Sequence, residues 1–226
     1  MKWPTLIWFA LFVLIPLLIV ICLSFATRGA YGGFTWDWTL DNYLRSFTWI
    51  HLEILVNSLK LALATTLTCA AVGTVMAWSM ATASPAHRYF YVCAVAIPFL
   101  TNLVIRVYAL KLFVGVGGPL QASLGILQIP FDPYVFTENS YLVFYGMVTT
   151  YLPFMVLPLY GAFEKFDFTL VEAAQDMGAG PWKILSSVMM PNLKKALFSG
   201  ALLVFIPSLG EFVIPDLLGG AKTLLF

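Results

Sequence analysis

The residues best placed to act on a solute are ionisable side chains set inside long apolar runs: Lys60, Arg106, Lys111 and Glu211, with Asp216 near the end of its run. Charge in hydrocarbon is costly, so such groups pair with one another or line a route for an ion or polar solute. At about 1.5 Å per residue, Arg106 lies roughly 25 Å along its helix and Glu211 roughly 22 Å along its own. The two therefore fall at similar height in the outer half of a bilayer. Two readings stay open for Glu211. In one, it pairs with Arg106 and ties the third and fifth spans together. In the other, Glu211 and Asp216 line a route for a cation, with Tyr108 or other aromatic faces nearby. Lys111 and Asp216 reach the outer interface, where long side chains can snorkel.

Other chemistry finds no support. There is no G-x-x-x-x-G-K-[ST] phosphate loop, no G-x-S-x-G or H-E-x-x-H, and no paired-carboxylate arrangement. His51 and His87 stand at span ends with no nucleophile or ligand partner nearby in sequence. Cys22, Cys69 and Cys93 each sit in an apolar run and read as small packed hydrophobes. No metal site and no cofactor of the chain's own is expected, and an intramembrane enzyme is disfavoured. A net charge of +1 gives no argument for nucleic acid.

The elements that must position those charges follow from composition. Of 226 residues, 61% are hydrophobic and 10% are charged, whereas soluble domains carry about 25% charged residues. Such a chain needs lipid as solvent. Five spans are expected, at 3–26, 54–82, 89–115, 140–163 and 196–219. The first run is too long for the apolar core of a secretion signal and reads as a retained helix. Pro16, Pro98, Pro153, Pro158, Pro207 and Pro215 interrupt the spans, which a bundle tolerates where neighbours re-satisfy the backbone. Ala62, Thr66, Ala70 and Thr74 form a row of small residues, as do Gly73, Ala77 and Ala81, and both suit close helix packing. Lys2, Arg88, Lys165, Lys183, Lys194 and Lys195 fall on one side, and Arg28, Arg45 and Lys222 on the other. The positive-inside bias places the N-terminus and the 164–195 loop in the cytoplasm. The final "GGAKTLLF" begins a new apolar run, read as the start of a sixth span. The expectation is an all-α polytopic bundle forming one transmembrane domain, 1–226.

One connection departs from the pattern. In "VEAAQDMGAGPWKILSSVMMP" (171–191), Thr169 precedes Glu172 by three residues, the capping-box spacing. A helix over Leu170 to Met177 is expected, ended by a left-handed Gly178. Pro181 suits the first turn of a second helix, which is expected to stop at about Met189, before Pro191. Glu172, Gln175 and Asp176 share one face; Trp182, Leu185 and Met189 share another. Such an elbow either docks a protein or lies on its own bundle or in the headgroup layer.

This stretch resembles the EAA loop of ATP-binding-cassette importer permeases (type I, MetI-like). Glu172, Ala173 and Ala174, then Gly178, then Val188, Met190 and Pro191 keep the family's spacing, with Val and Met where the family has Ile and Leu. "WTLDNY" (38–43), "TNLVIRVYALKLF" (101–113), "YLPFMVLPLYGAFEKFD" (151–167) and "PSLGEFVIPDLLGGAK" (207–222) look like permeases of spermidine/putrescine importers. The resemblance implies a bacterial inner-membrane permease whose coupling helix, with Glu172, Ala173, Ala174, Gly178, Trp182 and Pro191, seats in a separate ATPase. It implies partners: an ATPase dimer that binds ATP and Mg, a second homologous permease, and an extracytoplasmic substrate-binding protein. Glu172 could meet a basic residue of the ATPase or only cap its own helix. The substrate path implied for a polyamine draws on Glu211, Asp216, Tyr108 and Arg106. Open alternatives are the same architecture importing an anion, sugar or amino acid, and an ATP-independent channel.

Overall fold

The structure, a computed structural model, describes residues 3–29, 33–36, 38–130, 132–136 and 139–219. The expectations resting on Lys2, Lys222 and the apolar run over 220–226 lie outside them. The described residues form two compact units, Met1–Glu53 and Ile54–Phe226.

The first unit is built on α1, Trp3–Ser24, an apolar helix with no buried residue and one π turn at Ala10–Leu14. A two-residue ladder follows, β1 (Thr27–Arg28) against antiparallel β2 (Phe34–Thr35). A short helix α2, Asp41–Ser46, then turns back on α1. The Asn42 amide donates to the Ser24 and Ala26 carbonyls at 3.0 and 2.8 Å. The Tyr43 and Ser24 hydroxyls bond at 2.7 Å. Asn42 of the "WTLDNY" segment thus satisfies carbonyls left open at the end of α1.

The next helix, α3, runs Trp49–Thr82, 34 residues. At 1.5 Å per residue that is about 50 Å, longer than a bilayer's hydrocarbon core, so it tilts or extends into the interface. The expected start at 54 is late by more than one turn because the aromatic "TWIHL" belongs to the helix rather than ending a loop. The third expected span, 89–115, is two helices: α4, Pro85–Leu100, and α5, Leu103–Val114. After Pro98, Thr101 and Asn102 adopt extended backbone, and the Asn102 side chain accepts from Val104 N and Ile105 N at 2.9 and 3.4 Å. Short helices α6, Pro119–Ile126, and α7, Pro133–Phe136, lead to α8, Ser140–Phe163.

The second unit packs around α8. Met147, Tyr151, Met155, Leu159 and Phe163, one turn apart, are all buried. Glycine sets how closely the neighbours approach. A Cβ on Gly73 of α3 would sit 2.9 Å from Met155 Cγ, and one on Gly200 would sit 2.8 Å from Met155 Sδ. Met155 is therefore gripped between two glycines. The small-residue rows of α3 do face the bundle, with Ala62, Thr66, Gly73, Ala77 and Ala81 buried.

The elbow follows α8 as α9, Thr169–Asp176. The next span, α10, covers Pro181–Leu209. Here the expectation of a helix stopping before Pro191, with the span restarting at 196, is corrected. A π turn over Leu185–Met189 widens the helix just before Pro191. Met190 N–H reaches back to Leu185 O, and the chain passes the proline, whose ring and missing N–H would break a regular turn. The membrane helix thus begins in the elbow itself, and the loop is 164–180. At the far end α10 stops at Gly210, and a separate helix, α11, Val213–Gly219, packs on α8 and α5.

Candidate functional site

Two regions carry the candidate residues. In the elbow, the capping box does not form: Thr169 and Glu172 make no capping bond. Asp167 takes that place, its Oδ1 accepting from Thr169 N at 3.0 Å and Thr169 Oγ1 at 2.7 Å. A carboxylate one residue before the cap reaches the free donors first, so Glu172 is left exposed with no role in holding its helix. These bonds hold the Asp167 carboxyl below the usual carboxylate range. The sign follows: the contribution of this contact is complete above the ordinary aspartate pKa and fades as pH falls through the depressed folded value. Asp167→Ala should speed hydrogen exchange of the first α9 amides at neutral pH, whereas Glu172→Ala should not; equal protection in both variants would refute the assignment.

The turn at the centre of the elbow is closed as expected. Gly178 has φ +79°, its N–H donates to Gln175 O at 2.8 Å, and Ala179 N–H donates to Ala174 O at 2.9 Å. This pair of bonds is the Schellman closure. Pro181 opens α10 behind Gly180. Ala174 and Ile184 are buried and hold the arms together, while Glu172, Ala173, Pro191 and Trp182 face outward, Trp182 at 81% exposure. Beneath Trp182 lies an apolar cavity of about 270 Å³, bounded by Trp78, Val171, Gln175, Ile184, Leu185 and Met189 among others. At the base of the elbow, Arg88 donates to Ala81 O at 2.8 Å and meets Glu164 at 3.7 Å, tying α3, α4 and the end of α8.

In the membrane half, the Arg106–Glu211 pair, one of the two readings left open for Glu211, is not made. Arg106 Nη2 donates to Thr101 O at 3.1 Å and Nε to Thr101 Oγ1 at 3.3 Å. It satisfies a carbonyl freed by the break between α4 and α5, a demand invisible in an unbroken third span. Its Nη1 is buried without a partner among the described residues. Glu211 caps α11 instead: Oε1 accepts from Val213 N at 2.8 Å and Ile214 N at 3.3 Å. Oε2 accepts the Tyr151 hydroxyl at 2.6 Å. Tyr151 is the residue sequence reasoning passed over; its one signal is a buried phenol on an otherwise apolar face, which must find a polar partner. Arg106 and Tyr151 line a cavity of about 220 Å³ with Phe99, Thr101, Thr150 and Phe154. Arg106 also borders a larger cleft of about 340 Å³ with Tyr145 and Thr149. Tyr108 and Asp216 are exposed and border neither space.

Helices interrupted inside the membrane, converging on a mostly apolar space that carries a few polar side chains, are the construction of solute-conducting proteins, and the chain is of that class: a multi-pass permease. It belongs to the family described as binding-protein-dependent transport system inner membrane component, which matches residues 69–225. It is similar to the spermidine/putrescine transport system permease protein PotB of Haemophilus influenzae, with 38% identity over 218 residues, covering 96% of this chain and 76% of that protein. The PotB of Escherichia coli (strain K12) is also 38% identical, over 96% of this chain and 79% of its own length. The molybdenum transport system permease protein ModB of Azotobacter vinelandii is 31% identical over 72% of this chain and 70% of its own. The protein is thus a transport component of the inner membrane, with all-α architecture and, among the described residues, five helical stretches long and apolar enough to cross it, Leu103–Ile126 (α5 with α6) being one of them.

Proposed function

We propose that this chain conducts polyamines, spermidine or putrescine, across the inner membrane as one permease subunit of an ATP-driven importer. The observation that supports this most is 38% identity to the polyamine permeases over 96% of the chain. All 226 residues act as one transmembrane domain, with the N-terminus and the elbow in the cytoplasm. The partners are an ATPase dimer, which binds ATP and Mg, a second homologous permease, and an extracytoplasmic binding protein that delivers the substrate; nucleic acid has no part. The chain holds no cofactor and performs no hydrolysis itself.

The elbow is the point of coupling. Glu172, free of any capping duty, is available to a basic group of the ATPase. Ala173 lets that surface approach closely, and Trp182 offers a large exposed ring of the kind that anchors interfaces. Ala174 and Gly178 hold the shape, and Pro191 lies within α10, so a push on the elbow acts directly on a membrane helix. The likeness to a molybdenum permease supports a second reading, in which the same coupling serves another small solute.

Affinity purification of the tagged chain from its own membranes tests the proposal. A P-loop ATPase should co-purify with the intact chain and be lost on deletion of 172–178. An intact chain that brings down no ATPase refutes the coupled-importer reading and leaves an ATP-independent channel. Radiolabelled spermidine uptake by the purified complex separates the two solute readings.

A further inference from the structure

Two membrane helices break at one place in this fold. The gap at Thr101–Asn102 and the gap at Gly210–Phe212 both border Tyr151. Thr101 lines the 220 Å³ cavity with Tyr151, and Glu211 accepts the Tyr151 hydroxyl at 2.6 Å. Breaks at membrane depth persist where the freed backbone is buried in protein or lines a polar space. Two more of the wall residues are aromatic, Phe99 and Phe154. Phe99 and Phe154 meet edge to face at 4.9 Å between centroids, and Phe154 lies 6.1 Å from the Tyr151 ring.

Among the described residues, Arg106 is the charged group that lines this space, and Glu211 stands behind it, reached through the Tyr151 hydroxyl. Arg106 is committed through Nε and Nη2 to the Thr101 break. Glu211 spends Oε1 on two backbone donors, but among the described residues Oε2 holds only the Tyr151 hydroxyl. A carboxylate oxygen accepts two hydrogen bonds, so Oε2 keeps one direction free. A carboxylate with a free acceptor, bonded to a phenol that shares a cavity with two phenyl rings, matches a primary ammonium on an alkyl stem: charge for the head, ring faces for its positive field and methylenes.

Resting on the polyamine reading above, we propose that Glu211, oriented by Tyr151, is the transit contact for a primary ammonium group, with Phe99 and Phe154 flanking the alkyl stem. The guanidinium of Arg106 on the same cavity repels a second ammonium beside the first, which keeps the contact from becoming a trap.

The test is uptake of radiolabelled spermidine by the complete transporter in proteoliposomes, with binding protein saturating. Glu211→Gln keeps an acceptor for Val213 and Ile214 N–H and an amide that can donate to the Tyr151 oxygen, so it removes the charge and spares the cap. Uptake should fall about tenfold or more, the scale of a lost charge-assisted hydrogen bond, while assembly and melting temperature stay at the parent level. Glu211→Asp should restore part of the uptake. Should Glu211→Gln fail to assemble, Tyr151→Phe carries the test: a severalfold loss of uptake at parental melting temperature supports the contact, and parental uptake overturns it. Uptake by Glu211→Gln equal to the parent, or lost only in step with melting temperature, reduces Glu211 to a helix cap. Loss in Arg106→Gln with Glu211→Gln unaffected overturns the proposal in favour of an anionic group in the cavity. A parent complex that hydrolyses ATP yet takes up no polyamine overturns the polyamine reading itself, and the ammonium contact with it.

Discussion

Gly178→Val is expected to abolish transport while leaving the membrane bundle folded. Gly178 sits at φ +79°, where a residue with a side chain costs roughly 1–2 kcal/mol and a β-branched one lies at the upper end. A strained turn also weakens the two bonds that close it, from Gly178 N–H to Gln175 O and from Ala179 N–H to Ala174 O, each worth about 1 kcal/mol. Together these shift the elbow by about 3 kcal/mol toward unwound forms, a population change of roughly a hundredfold. No neighbour lies within 4 Å of a Cβ at this position, so the effect is conformational and not steric. Gly178→Asn supplies the control, because Asn tolerates the left-handed region. ATP hydrolysis stimulated by the loaded binding protein should collapse toward its basal rate in the Val variant and recover largely in the Asn variant. Equal stimulation in both would show that the left-handed turn does not set the coupling geometry.

The second large effect lies in the packing. Gly200→Leu should unfold the contact between α10 and α8, because a Cβ there meets Met155 Sδ at 2.8 Å and the Met155 Cα and carbonyl oxygen at 3.5 Å. The sulfur can swing away, but the backbone behind it cannot. Overpacking of a tight core site costs about 1–3 kcal/mol, and the upper figure corresponds to a fall in melting temperature of roughly 6–12 °C for a chain of this size. Met155→Ala opens room in the same place and, alone, costs about 2–5 kcal/mol as a cavity. The double variant should therefore lose less than the sum of the singles, since one change fills what the other empties. Thermal melts of the purified transporter in nanodiscs give all three values. Additive losses would show that Gly200 and Met155 do not share the contact.

Much of this was readable beforehand because local rules decided it. Gly178 and Pro181 mark an end and a start through backbone geometry alone, and both act as expected. The spans over α1 and α8 follow from apolar length, and the small-residue rows of α3 from the space a closely packed helix leaves. Where partners compete, local rules fell short. Thr169 and Glu172 have capping-box spacing, yet Asp167 occupies the donors first. Pro191 should stop a helix, yet one π turn carries the chain past it. Arg106 and Glu211 were set at similar height, and both do border Tyr151, but neither chose the other.

The sequence by itself determined that this is a membrane bundle with a two-helix elbow, because hydropathy, glycine and proline act on the chain within a turn or two of where they stand. Only the tertiary structure decided who satisfies whom inside it. Two broken helices leave backbone groups that must find partners in a medium without water. Arg106 went to one break and Glu211 to the other, and the Tyr151 hydroxyl went to the carboxylate. Those choices depend on which breaks meet across α8, a matter of packing between segments some 60 residues apart.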